Sequence, residues 1–494
     1  MASSVETLSR WALLEPRDAE FVYNEYRGHL EHLLAVYLFD AGSEPGVALT
    51  DTSVQQWMRD RLGSHHAFTS VITRPPLGIE HPRWVPAEHI DLRDHVSVRA
   101  VSQPGWEGLG PLLGEILTSR IDLSRPPWEL HVVTGVTSLD MFDGRPLTAV
   151  GLKLHHSAAD GLAVMDLAHK LFSETPRPVP DRAVIRFPRL RILAESIRAI
   201  PRRTRIFVGS IPENRASARA VEAACAAGEW PRLPERPETR FNTATSGRAC
   251  VHSVSLPGEQ ISIVKGAAPH LTINDVVLAA TGGALDRYLR ERGEEYDGSL
   301  VAMVPRSMRG IEKWESANQL VALAVDMHTD RRDPIGRLLS ISRSARLEKA
   351  RTSHPAVRRQ VAAMDTAPPF FWQVASYMHK RKRYGQNASR AFHTMVSNIP
   401  LTVEGLTFDG ATAVAVLGSQ PPVDGDRLRH FVTTGTDGGL TLTVIADPEA
   451  MPDLPHYLEL VRASLAELED AASVATRQPG ASEITSRAVR SEHA

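Results

Sequence analysis

Residues 152–164 read LKLHHSAADGLAV. An apolar, alternating run ends in two adjacent histidines, His155 and His156, and Asp160 and Gly161 follow. The stretch 147–156, LTAVGLKLHH, has the pattern of a strand. The stretch 160–172, DGLAVMDLAHKLF, places Val164, Leu167, Ala168 and Leu171 on one helical stripe. Successive side chains of a strand face opposite sides, so the two imidazoles diverge if the strand continues to its end. A strand end running into a helix start is a common place for a catalytic group in α/β proteins. Two readings are open. One is a core histidine beside an aspartate that caps the helix. The other is an imidazole, titrating near neutrality, that takes a proton from a hydroxyl and returns it to a leaving group. The aspartate either orients an imidazole or builds the loop through an arginine pair. A metal site is poorly supported, because the pair diverges and no third ligand stands at helical spacing.

Outward from this motif, strands and helices alternate. Residues 126–136, PPWELHVVTGV, are rich in β-branched residues and predict a strand. Residues 108–123 predict a helix ending near Ser119, and the run LLAVYLF at 33–39 fits a buried strand or a short helix. From 174 to about 246 the character changes. Proline-rich segments flank RFPRLRILAESIRAIPRRTR at 186–205, which predicts a linker with one or two helices. The second half restarts with ACVHSVSL at 249–256, followed by the amphipathic segment 272–293, with Thr272 or Asn274 as its cap and Gly293 as its stop. Strand patterns recur at 299–305, 320–328, 392–400, 411–418 and 439–447, and a helix near 455–472 closes the chain. The division expected from this order is an N-terminal lobe 1–173, a linker 174–246, a C-terminal lobe 247–472 and a disordered polar tail 473–494.

The bulk properties exclude several classes. With 494 residues the chain is too long for one core. A formal net charge of −2 gives no global field for nucleic acid, so any basic site is local. The two cysteines, Cys225 and Cys250, make neither a disulfide framework nor a zinc motif. No secretory signal is visible and the longest apolar runs are too short to span a bilayer, so the expected location is cytoplasmic. The basic stretches 186–205 and 379–385 read either as solvated surface or as contacts to anionic lipid or coenzyme A phosphates. Nucleophile-elbow, Walker and dinucleotide-binding patterns are missing from the sequence.

HHSAADG at 155–161 has companions in a fixed order. DLSRPPWELHVV (122–133) precedes it, and TINDVVLAATGGALDRYL (272–289), MVPRSMRG (303–310) and VSNIP (396–400) follow. EPRDAEFVY (15–23) resembles the usual opening of the same set. Together these motifs resemble the bacterial wax ester synthase/diacylglycerol acyltransferase family, within the chloramphenicol acetyltransferase-like superfamily that includes peptide-synthetase condensation domains. HHxxxDG alone points only to the superfamily.

The resemblance implies an α/β fold of two acetyltransferase-like lobes, each a mixed sheet flanked by helices, with a tunnel between them. It implies that His156 is the general base and that Asp160 supports the loop without touching substrate, paired with an arginine for which Arg309 is the candidate. His155, Gly161, Asn274, Asp275, Trp128 and Asn398 are supporting residues. Asn274 is the candidate oxyanion donor or pocket former. Trp128 reads as a packing anchor, Asp275 as a cap, and Asn398 as a turn residue before Pro400. The implied reaction moves a fatty acyl group from acyl-CoA, a substrate rather than a cofactor, to a hydroxyl of a diacylglycerol or long-chain alcohol. No cofactor and no metal are called for, and peripheral contact with a membrane or lipid droplet is implied. The alternatives are a condensation-type enzyme using a carrier-bound acyl donor or a specialised acceptor, and a non-catalytic scaffold that binds acyl ligands. Three segments depart from the family pattern. Pro127 replaces a leucine, Leu401 stands where a glycine follows the SNIP segment, and GHLEHLLAVYLFD (28–40) replaces a methionine-histidine-valine-glycine stretch. These departures fall on the acceptor side of the question, not on the histidine motif.

Overall fold

The computed structural model describes residues 11–42, 48–173, 175–179, 189–230, 237–383, 392–435 and 438–477. The first strands in the chain are β1 (His32–Asp40), β2 (Ser70–Thr73), β3 (Arg83–Pro86), β4 (Val96–Ala100), β5 (Trp128–Val136) and β6 (Leu147–His155). The later ones are β7 (Cys250–Leu256), β8 (Val301–Ser307), β9 (Leu320–Asp326) and β10 (Thr394–Asn398). β11 (Thr407–Phe408), β12 (Ala411–Ser419), β13 (Leu428–Thr434) and β14 (Leu440–Ala446) complete the set. They form two six-stranded mixed sheets and the small pair β2–β3.

The first sheet has the order β11-β12-β1-β6-β5-β4. β1 is buried at every position except Asp40, and β6 at every position. Both are covered on two faces; β1 reads accordingly as a nearly continuous apolar run, and β6 buries Lys153 and His155 among its apolar residues. The run 33–39, open between strand and helix in the sequence, is therefore strand. One face of this sheet packs under the helix Gly161–Leu171, with Tyr37, Phe39, Phe172 and Trp128 in the core. The second sheet has the order β7-β14-β13-β10-β8-β9, and β10 is parallel to both β13 and β8. The helices Ile273–Glu291 and Leu454–Arg477 cover it around Tyr288 and Tyr457.

A third apolar cluster joins the two halves. Leu34, Val36 and Leu38 of β1 and Leu113 and Leu117 of the helix Gly105–Thr118 meet Val251, Met395, Phe431 and Ile445 of the second sheet. The sheets do not follow the chain order of the two lobes. β11 and β12, late in the sequence, are part of the first sheet, and β12 pairs antiparallel with β1. Among the described residues between the halves runs a helix of 38 residues, Arg189–Ala226. The closing helix extends to Arg477, so residues 473–477, expected in the disordered tail, continue the helix past buried Ala472. Residues 478–494 lie outside the described residues, as do parts of the two basic stretches. No helix among the described residues is long and apolar enough to cross a membrane.

Candidate active site

β6 ends at His155, and this decides where the two imidazoles go. His155 sits opposite His32 in the sheet and is fully buried. Its Nδ1 accepts from the Ser157 backbone N–H at 3.2 Å, so the hydroxyl of Ser157 also donates to it, at 2.7 Å. Burial, ahead of all charges, lowers its pKa to about 3. His155 is a neutral, pinned core histidine.

His156 is held differently. Its backbone N–H donates to the carbonyl of Glu31 at 2.9 Å, and its own carbonyl accepts from Asn318 Nδ2 at 2.8 Å. Its ring stacks on Phe21, with centroids 4.2 Å apart and planes 5° from parallel. Ring Nδ1 is buried without a hydrogen-bond partner. Burial pulls the pKa of His156 below the ordinary histidine value. The Glu31 carboxylate is the first of the influences opposing that shift, followed by its own backbone carbonyl, the Asn318 side chain and Asp160. Glu31 pairs with His29 at 2.8 Å, and its charge is held below the usual glutamate range despite burial by His29, His156 and Arg429.

Phe21 belongs to the helix Pro16–Asn24, whose position is fixed at both ends. Near its start, Asp18 accepts from the backbone N–H groups of Ala317 and Asn318 and from Asn318 Nδ2, at 2.8–3.0 Å. Burial raises the Asp18 pKa to about 6 against these bonds. At its end, Arg74 donates to Val22 O, and Ser376 and Lys380 donate to Tyr23 O. These donors satisfy last-turn carbonyls that a helix leaves unpaired, and the two cations complement its dipole.

Asp160 is the N-cap of Gly161–Leu171, accepting from Ala163 N at 2.9 Å. The same carboxylate accepts from Arg309 Nη2 at 2.9 Å and from Gln319 N at 3.1 Å. Arg309 also donates to the carbonyl of Ala317. Segment 316–319 of the second half thus grips Asp160, the His156 carbonyl and the Phe21 helix at once. Gly161 is tight for a different reason: a Cβ there would fall 2.6 Å from Ile399 Cδ1. Ile399 follows Asn398 at the end of β10, so the glycine lets the two halves close at this seam.

The other motif residues divide. Asn398 Nδ2 donates to Asn274 Oδ1 at 2.6 Å, bringing those two together. Asp275 forms a reciprocal capping box with Thr272, so Thr272, not Asn274, is the cap. Trp128 is fully buried, donates from Nε1 to Phe68 O at 3.1 Å and stacks on His95. It lies in the core beneath the motif. At the seam, Leu33, Gly161, Val164, Ile399, Leu401 and Phe431 are among the residues that line an apolar cavity of about 30 Å³. That is room for a water or two, far short of an acyl chain. Phe21, Glu31, Asp18 and Asn318 escaped the sequence reading. The opening segment EPRDAEFVY carries Asp18 and Phe21, and the divergent segment GHLEHLLAVYLFD carries Glu31, without marking any of them as a site residue.

The family profile described as the wax ester synthase/diacylglycerol acyltransferase catalytic domain matches residues 14–277, and that of the WS/DGAT C-terminal domain matches 316–469. The chain belongs to the wax ester synthase/diacylglycerol acyltransferase family. It is 29% identical over 479 residues to a probable diacylglycerol O-acyltransferase of Mycobacterium tuberculosis, covering 94% of this chain and all of that one. Among solved structures, the wax ester synthase/diacylglycerol acyltransferase of Marinobacter aquaeolei superposes with a TM-score of 0.62 at 22% identity, over 94% of this chain and all of that one. The starter condensation domain of rhizomide synthetase shares the fold at a TM-score of 0.51 and 11% identity, over 94% and 96% of the two chains. The protein is an acyltransferase of this family, with the mixed α/β architecture of the condensation-domain group.

Proposed function

We propose that the protein transfers a fatty acyl group from acyl-CoA to the hydroxyl of a diacylglycerol or long-chain alcohol, with His156 as general base. One observation carries this reading: His156, clamped through both backbone polar groups and by the Phe21 ring at the seam where the two halves meet, with burial pulling its pKa below the ordinary histidine value. A base must be unprotonated at working pH and fixed toward the proton it removes, and burial and clamping supply both.

In this mechanism His156 takes the proton of the acceptor hydroxyl as that oxygen attacks the thioester carbonyl. The tetrahedral oxyanion is stabilised by donors in a site shielded from water. Asn274 fits that role, because Asn398 engages its Oδ1 and leaves its amide N–H groups as donors. The intermediate then collapses, the C–S bond breaks, and the imidazolium returns its proton to the departing thiolate. Ester and free coenzyme A result, with no acyl-enzyme, since holding both substrates at one point removes much of the barrier. Asp160 and Arg309 are positioning residues that fix the loop.

The test supplies purified protein with palmitoyl-CoA and, in turn, hexadecanol, dipalmitoylglycerol and a short polar alcohol, following free thiol and ester together. Ester with either lipid acceptor is the expected result, and the preferred one names the activity. Transfer from a carrier-bound acyl group alone would overturn the donor. Tight acyl-CoA binding with no transfer to any acceptor would make the protein a scaffold.

A further inference from the structure

A base that takes a proton at a buried point becomes a buried cation, and a buried cation needs a partner charge. The aspartate of the histidine motif is already committed. Asp160 accepts from Arg309 and Ala163 N through Oδ1 and from Gln319 N through Oδ2, so a guanidinium matches its charge. The carboxylate placed to answer His156 is Glu31. β1 and β6 run antiparallel with His32 opposite His155, and the bond from His156 N to Glu31 O carries the pairing one residue further. Directly opposed residues of such a pair put their side chains on one face, with Cβ atoms about 5 Å apart. Glu31 is thus the cross-strand partner of His156.

That carboxylate is held in place. His29 Nε2 lies 2.8 Å from Glu31 Oε1, and an imidazole N–H can donate there whether or not the ring is charged. His29 is itself fixed by a tight turn. Tyr26 and His29 exchange both backbone hydrogen bonds, and their rings stack with centroids 5.8 Å apart. Asp424, far along the chain, locks this turn from the other side. Its N–H donates to Gly28 O at 2.9 Å, its carboxylate accepts from the Tyr26 hydroxyl at 2.8 Å, and a Cβ on Gly28 would collide with that carboxylate.

The charges facing Glu31 come from several elements, and they leave it as the ionised acid. Burial and then Glu31 itself raise the pKa of Glu20, on the helix Pro16–Asn24, to about 7. Burial pushes Glu31 upward too, but His29, then His156 and Arg429, hold it below the usual glutamate range. Arg429 of β13 is engaged elsewhere, pairing with Asp426 at 2.9 Å and donating to Gln420 Oε1 at 2.8 Å. Glu25 is answered by Arg120 at 2.9 Å. His29 and Glu31 both lie in GHLEHLLAVYLFD, a segment that departs from the family pattern, so the histidine motif does not bring them with it.

We propose that Glu31, oriented by His29, is a positioning residue whose carboxylate faces the His156 imidazolium as it forms, a role that rests on His156 being the base. Glu31 keeps its charge throughout and takes no proton. The proton passes from the acceptor hydroxyl to His156 and from there to the departing thiolate. The attraction is strongest while the imidazolium exists, so it acts on the chemical step more than on binding of either substrate.

The test is a kinetic cycle on the full-length protein with palmitoyl-CoA and its best acceptor, each variant checked by its Tm. E31Q should lower kcat about tenfold to a hundredfold with both KM values within about twofold of wild type. E31D, which keeps the charge, should recover most of that loss, and H29Q, which keeps a donor to Glu31, should stay within about threefold of wild type while H29A falls further. In the H156A background, E31Q should change the residual rate by less than about twofold, because the imidazolium it serves is gone. Wild-type kcat in E31Q beside an impaired H156A would overturn this inference alone. So would an E31D as impaired as E31Q, which would make shape rather than charge the cause, or losses that multiply in the double variant. H156A at the wild-type rate would overturn the base reading itself, and this inference with it.

Discussion

His155 and His156 are neighbours in sequence with different chemistry, and burial with specific partners separates them. His155 is saturated at Nδ1 by Ser157 and stays neutral far below physiological pH. His156 is also depressed by burial, but Glu31 and Asp160 hold back the shift. The sign follows directly. A base with a lowered pKa stays unprotonated as pH falls through the ordinary histidine value, so the acid limb of kcat/KM should lie below about 6.5. Replacing Glu31 with Gln removes the leading charge that favours the imidazolium, and the limb should move to still lower pH. A pH–rate profile of both proteins checks this, and a limb that stays fixed on E31Q would remove Glu31 from the account. The adjacent pair and its aspartate were legible in the sequence because they lie within seven residues. Phe21, Asp18 and Asn318 were not, since their contacts span from 135 to 300 positions and leave no local pattern.

At the scale of elements, Asp160 does three things with one carboxylate: it caps a helix, pairs with Arg309 and accepts from Gln319 N. Asp160→Ala loses the cap and strands the two partners from the other half. A destabilisation of about 2–4 kcal/mol is expected in denaturant unfolding, with kcat reduced. Asp160→Asn keeps a capping oxygen and should cost less than half as much. Equal losses for the two would show that the cap contributes nothing. Most elements near the site could be read in advance: β5, β6, the helix after the motif and the helix Ile273–Glu291 follow the apolar periods of their segments. β13 was missed because Arg429 and His430 near its start look exposed, whereas both are buried, with Arg429 paired to Asp426 and His430 held by Thr394 and Tyr457. Lys153 is a second such case, a fully buried lysine in β6 satisfied by Glu129 and Ser119.

For the whole molecule, the shared core and the crossing strands β11 and β12 tie the halves together, and Gly161 sets how closely they approach at the site. Gly161→Ala should cost about 1–3 kcal/mol by overpacking against Ile399, and Ile399→Ala should recover most of that in the double variant. Additive losses in unfolding experiments would mean that the seam tolerates the methyl without Ile399 yielding. The two-lobe α/β class was legible from the alternation of strand and helix patterns. The return of β12 to the first sheet was not, because a strand's sequence records its burial but not which sheet buries it. The central claim is that a fixed, neutral His156 moves the proton. The most direct measurement is the acyl-transfer rate of His156→Ala against wild type with the best acceptor, both shown folded by their unfolding curves. A loss of several hundredfold or more is predicted; equal rates would contradict it.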